Sequence, residues 1–468
     1  MLAVFCYYTS KAKEREENNI LNTITMHGEL RVGMLRSLTT LYIDNQNPTQ
    51  VGGFEYAFLQ QFAQALNVKL KVIFANDVDE LLQKSVNNQI DIIAAEIRGS
   101  DEARKTFIMG DPYHYSKQQL VYRKGSVKPY AFQDILGNLT VAENSLQSYL
   151  LQNISSGYPD LQWYESPELN VEELLKLVDD KKINYTIANN RTIAIMQRIY
   201  PSIAVAFDVI HDNPTAWFFP ASPDKSLFDR ANQFIAESKK NGTLQKLEYH
   251  YFSYMNHFDY VDTRTFIRAI NKTLPKYQML FEKYAAQNNM DWKFIAAMAY
   301  QESHWNPKAA SSTGVRGIMM LTKSTAESLG IKNRLNPEQS IRGGTSYLKQ
   351  LLNRIPKSIE KEERKWFALA AYNMGMGHLW DARTLAKKLG KNPDSWQDIK
   401  KVLPLLSEEE YYTELKYGFA RGYQAIHFVD SIQQYYISLV GYLLEKTYRQ
   451  KSMDSKTYVF KERKNNTK

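Results

Sequence analysis

At about His257 the hydrophobic pattern of this 468-residue chain changes period, so its two halves cannot share one regular architecture. Upstream, short apolar runs alternate with helical spacing. Residues 30–34, 70–74 and 90–95 read as strands, the last apolar enough to be buried on both faces, while Phe54, Phe58, Leu59, Phe62 and Leu66 recur at helical spacing. A second set follows, with a strand at 139–142, a helix starting near Ser145, and strands near 185–188 and 204–207. Strands separated by helices predict βαβ units and a parallel sheet. Beyond Pro275 only helical spacing remains, through 277–286, 292–300, 341–352, 366–372 and 432–444, with Gly, Asn and Pro between. The expected organisation is a flexible N-terminus or signal remnant over 1–26, an α/β module over 27–256, a helical connector over 257–276, an all-α domain over 277–450 and a basic tail over 451–468.

Composition narrows the class. No run of about 18 apolar residues occurs, so no segment is expected to span a membrane. The net charge of +9 favours anionic surroundings such as cell-wall polymers or lipid headgroups. Nucleic acid is not expected as a partner, because no zinc-finger spacing, basic zipper or RNA-binding aromatic signature accompanies the charge. The single cysteine, Cys6, rules out an internal disulfide and a Cys-rich metal site. Phe5 precedes it where a lipoprotein box would want a small residue, so lipidation at Cys6 is not expected.

The chemistry concentrates in residues 300–322, YQESHWNPKAASSTGVRGIMMLT. Asp291 is a plausible N-cap, after which Ile295, Met298 and Glu302 fall on the inward face of a helix. A carboxyl there is poorly hydrated, its pKa rises, and it can hold a proton near neutral pH for a leaving group. The alternative for Glu302 is a helix-end carboxylate in solvent or paired with a lysine.

Glu302-Ser303, then Asn306-Pro307, Ala309, Ser311, Gly314 and Gly317-Ile318-Met319-Met320, and further on Ala371-Tyr372-Asn373-Met374-Gly375 resemble the ES, GLMQ and AYN motifs of lytic transglycosylases with a goose-type-lysozyme-like catalytic domain. That resemblance implies a lysozyme-like all-α domain whose single Glu302 cuts the MurNAc–GlcNAc β-1,4 bond of peptidoglycan. Glu302 would protonate the glycosidic oxygen, then accept the proton of the muramic acid C6 hydroxyl as that oxygen closes a 1,6-anhydro ring. No metal or cofactor is implied. Ser303, Gly317, Met319, Met320, Tyr372 and Asn373 match the substrate-binding positions; helix-end, packing and capping roles are the alternatives for Ser303, Tyr372 and Asn373. Two departures stand out: Met320 replaces the family's Gln, and Phe428 replaces a Tyr of a late motif. Trp305 and Trp366 could line a glycan groove or belong to the core.

The first half has its own resemblance. GELRVGM at 28–34, GGFEYAFLQQFAQALNV at 52–68, IDIIAA, DPYHYSKQQLVYRKG at 111–125 and the second strand–helix set follow the order of the type-3 periplasmic solute-binding proteins over residues 27–255. This implies two α/β lobes joined by crossing strands, with a ligand between them. Arg104 matches the residue that grips a ligand carboxylate, or is a surface charge near Asp101 and Glu102. Asn189 stands where the family's Asp takes an amine, so free amino acids are not the expected ligand. Ser145 caps a helix, either plainly or as an anion site facing the cleft.

The pairing of the two modules resembles the exported membrane-bound lytic murein transglycosylases. It implies a periplasmic enzyme held peripherally at the inner face of the outer membrane, with a regulatory first module. A carboxylate-rich muropeptide is the expected ligand of that module, because Arg104 would grip an acidic group while Asn189 offers no carboxylate for an ammonium. Two rival classes stay open: a goose-type lysozyme that hydrolyses the same bond, and a non-catalytic solute sensor docked on the wall. The first needs a second carboxylate; Glu408, Glu409 and Glu410 read instead as a solvated acidic run.

Overall fold

The computed structural model describes residues 19–35, 42–44, 47–75, 78–95, 106–252, 260–452 and 461–463. The chain divides into two compact units, Met1–Phe258 with Lys446–Lys468, and Asp259–Glu445.

Thirteen strands occur among the described residues, all within the first unit: β1 Glu29–Leu35, β2 Tyr42–Asp44, β3 Asn47–Gly52, β4 Lys69–Ala75, β5 Ile92–Ala94, β6 Phe107–Met109, β7 His114–Arg123, β8 Thr140–Ala142, β9 Trp163–Ser166, β10 Thr186–Asn189, β11 Ile203–Thr215, β12 Phe218–Pro220 and β13 Lys461–Arg463. The first lobe is a five-stranded sheet in the order β4-β1-β5-β12-β6. Side-chain alternation explains how it is buried on both faces: Ile92 and Ala94 join the core with Phe58, Phe62 and Trp217, while Ile93 joins Leu81, Ile90 and Phe107 on the other side. Gly33 of β1 has no room for a Cβ, which would come within 2.6 Å of Ile90.

Parallel pairing holds for β1 with β4 and β5, and for β8 with β9. Elsewhere the all-parallel expectation fails. β7 pairs antiparallel with both β10 and β11, and β12 runs antiparallel to β5 and β6. The reason is connectivity: β7 follows first-lobe strand β6 into the second lobe, and β11 leads back to β12, so the two crossing strands run in opposite directions. The segment read as a strand near 204–207 is thus one part of a long crossing strand. The basic tail also contains ordered structure, since β13 adds antiparallel to the edge of β9.

Among the described residues the second unit is helical. Helices Gln278–Gln287, Trp292–Ser303, Pro337–Arg354, Arg364–Met374 and Gly422–Ser452 occupy the stretches with helical spacing, joined by shorter helices such as Met376–Lys388. Helix Tyr260–Lys272, read from sequence as part of a connector, packs into this unit: Phe266 is fully buried, with its ring 4.5 Å from Tyr300, 5.7 Å from Trp305 and 4.7 Å from Tyr435. Trp305 and Trp366 are buried, so they belong to the core and not to a glycan groove.

Candidate active site

Glu302 lies in the last turn of helix Trp292–Ser303. Asp291 caps the start, its carboxylate accepting the Lys293 amide (2.9 Å) and the Tyr436 hydroxyl (2.7 Å). Two successive left-handed residues, His304 and Trp305, stop the helix just past Ser303. Trp305 is pinned there by its indole N–H, which donates to the Ala296 carbonyl at 2.8 Å. Asp291→Ala is expected to lower unfolding free energy by about 1–2 kcal/mol, measured by urea titration, because it removes the acceptor of both the Lys293 amide and the Tyr436 hydroxyl.

The Glu302 carboxyl has no hydrogen-bond partner among the described residues, and burial pushes its pKa up to about 8. Half-buried by surface, it remains open on one side. The segment beside it is held from three directions. Ser303 donates to the Ile318 carbonyl (2.8 Å), Tyr372 donates to the Met319 carbonyl (2.9 Å), and the Met319 amide donates to Ser340 Oγ (3.2 Å). Burial, then the charge of Glu302 and of Tyr347, hold the Tyr372 phenol well above its ordinary range, so it stays a neutral donor.

The matched residues therefore divide by task. Ser303 spends its hydroxyl on the loop backbone. Gly317 is buried with φ +88°. Met319 is fully buried, its side chain against Gly344, so only its backbone serves the site. Met320, half-buried with φ +45°, takes the strained turn position. Tyr372 and the exposed Asn373 lie together in the last turns of helix Arg364–Met374. Motif reading missed Tyr347: half-buried on helix Pro337–Arg354, its ring packs tilted against Tyr372 with centroids 5.2 Å apart, and its hydroxyl has no partner among the described residues. Glu408, Glu409 and Glu410 are all exposed, and no metal-binding cluster occurs among the described residues.

In the first unit, Arg104 lies outside the described residues, as do Asp101 and Glu102. Ser145 caps helix Leu146–Ile154, accepting the Ser148 amide (3.1 Å) while donating to the Ala142 carbonyl (2.6 Å). Asn189 caps helix Asn190–Met196 through the Thr192 amide (2.7 Å).

Two family models match the chain: the bacterial extracellular solute-binding proteins, family 3, over residues 30–254, and the transglycosylase SLT domain over residues 279–395. A membrane-bound lytic murein transglycosylase F of Yersinia pestis is 45% identical over 427 residues, covering 91% of this chain and 87% of the relative. One from Aliivibrio fischeri is 45% identical over 436 residues, covering 92% and 87%. A solved ancestral arginine-binding protein is 19% identical with a TM-score of 0.43, covering 48% of this chain and 98% of its own.

Proposed function

Since this chain belongs to the membrane-bound lytic murein transglycosylase F family, we propose that Glu302 performs both proton transfers of its reaction on peptidoglycan. The chain is a lytic transglycosylase, a two-lobe solute-binding-like α/β module followed by a helical catalytic domain. The single observation that carries the assignment is the Glu302 carboxyl, desolvated to a pKa of about 8 and without a partner among the described residues. It holds its proton at neutral pH and gives it to the glycosidic oxygen between MurNAc and GlcNAc as the C1–O bond breaks. The carboxylate left behind then takes the proton of the C6 hydroxyl while O6 bonds to C1, which closes the 1,6-anhydro ring and returns the acid form. Tyr372, Asn373 and Tyr347 line the sugar, with neutral dipoles facing the positive charge that develops on it. Ser303 and Gly317 to Met320 hold the wall beside the acid.

The product decides between this route and hydrolysis. Mass spectrometry of fragments released from sacculi is expected to find 1,6-anhydro-muramic ends, and reducing muramic ends as the main product would instead favour a lysozyme. The pH dependence gives a second test. Because one group is the acid first and its conjugate base only within the same turnover, kcat should be flat at low pH and fall as pH rises through about 8. A bell with an acid limb of similar weight would call for a second carboxylate.

For the first unit we propose a carboxylate-rich muropeptide ligand. Asn189 offers an amide where a free amino acid's ammonium would need a carboxylate, and that amide oxygen already accepts the Thr192 amide. Calorimetry on the full chain is expected to detect muropeptide binding and none by ordinary amino acids; tight amino-acid binding would reverse the assignment. Membrane association in the periplasm goes with the family, and we propose the inner face of the outer membrane as its location. No helix among the described residues is long and apolar enough to cross a membrane.

A further inference from the structure

Past the AYN helix, residues 413–423 hold three large aromatic side chains out in solvent: Tyr417 is 48% exposed, Phe419 52% and Tyr423 71%. The backbone beneath them is tightly built. The Tyr417 amide donates to the carboxylate of Asp381 (2.8 Å), a residue only 4% exposed. Gly418 takes a left-handed φ of +74°, and the Ala420 amide donates to the Leu406 carbonyl at 2.9 Å. Gly422 approaches Leu403 so closely that a Cβ would lie 1.8 Å from its carbonyl oxygen. The Tyr417 and Phe419 rings are themselves supported. Tyr417 packs on Gly377, where a Cβ would come within 2.6 Å of the ring, and Tyr412 meets Phe419 edge-on at 5.7 Å. Aromatic surface costs free energy when it faces water, so fixing it there at several points calls for a partner.

Position indicates which partner. Gly377 follows Asn373 by four residues, in the first turn of helix Met376–Lys388, so the Tyr417 ring packs on the start of the helix that directly follows the one carrying Asn373. A glycan strand extends beyond the two sugars flanking the cut bond, and each pyranose offers an apolar C–H face that stacks on an aromatic ring. A membrane surface fits poorly, because exposed Glu408, Glu409, Glu410 and Glu414 on the same stretch would face anionic headgroups.

We propose that Tyr417 and Phe419 form an additional sugar-binding ledge that takes the apolar face of a pyranose ring further along the glycan strand. The inference rests on the reading that Glu302 and Asn373 flank the cut bond. It is tested on the full-length protein with long solubilised glycan strands and with the shortest peptidoglycan oligosaccharide that is cut. Phe419→Ala and Tyr417→Ala should each lower the long-to-short ratio of kcat/KM about tenfold, equivalent to ~1.4 kcal/mol, with the change in KM on long strands. Tyr417→Trp should restore the ratio, and Gly377→Ala, which displaces the ring without removing it, should reproduce the loss. An unchanged ratio in Phe419→Ala at an unchanged thermal midpoint overturns the ledge. So does a variant that loses binding to vesicles of phosphatidylethanolamine and phosphatidylglycerol while keeping its preference for long strands. The Glu302 reading fails separately, by the chemistry of the product on either substrate.

Discussion

Replacing Glu302 by Gln is expected to cut release of anhydro-muropeptides from sacculi by roughly 10³-fold or more while leaving the fold intact, since one group supplies both acid and base. The amide keeps the volume and has no proton to give. No partner is orphaned, because no hydrogen bond to the carboxyl exists among the described residues. Stability should move in the opposite direction to activity. Burial raises the folded pKa from 4.5 to about 8, so between those values the folded chain holds a proton that the unfolded chain has released. This contribution is therefore fully present at low pH and is lost as pH rises through about 8. The Gln variant lacks that loss and should be more stable than the parent at pH 7 by on the order of 1–3 kcal/mol in urea titrations, with the difference vanishing near pH 4. Retention of more than a few per cent of the rate would move the catalytic role to another residue.

How much of this was legible in the chain depended on whether the signal was local. The Asp291 cap, the inward stripe ending at Glu302 and the two-faced burial of β5 follow from spacing within one element, where a few residues fix which side faces the core. The antiparallel crossing of β7 and β11 joins residues such as Ser116 and Asn213, and no local period reports a partner so distant. Tyr347 meets Tyr372 across two helices for the same reason. Met319 looked like a sugar contact because its motif is one, yet its side chain faces Gly344 and the neighbouring carbonyls do the positioning. For the aromatic residues the sequence left two roles open, groove or core: Trp305 and Trp366 are core, whereas Tyr417 and Phe419, which composition does not distinguish from them, stand in solvent. Burial, set by contacts between elements far apart in sequence, tells the two kinds apart.

Gly317→Ala is expected to lower the unfolding free energy by roughly 3–5 kcal/mol and, in whatever fraction folds, the rate by about 10²-fold. At φ +88° an alanine already costs about 1–2 kcal/mol of backbone strain. The larger cost is steric. A Cβ at this position would lie 1.9 Å from the Arg334 carbonyl oxygen and 2.8 Å from Ser340 Oγ. Neither neighbour can retreat: the Arg334 guanidinium is bonded to the carbonyls of Gly314 and Leu321 at 2.8 Å each, and Ser340 is fully buried. Movement in the other direction is blocked too, since the Met319 side chain already presses on Gly344. The strain therefore falls on the Ile318 and Met319 carbonyls, and with them on the bonds from Ser303 and Tyr372 that fix the wall beside Glu302. Gly314→Ala is the matched control, with φ +84° but nothing within 4 Å of its Cβ, so it should carry the backbone strain alone and keep most of the rate. Urea titration and kcat on sacculi for the two variants separate the terms. Equal costs at both positions would mean that the left-handed backbone, and not the close approach to Arg334, is what requires glycine at 317.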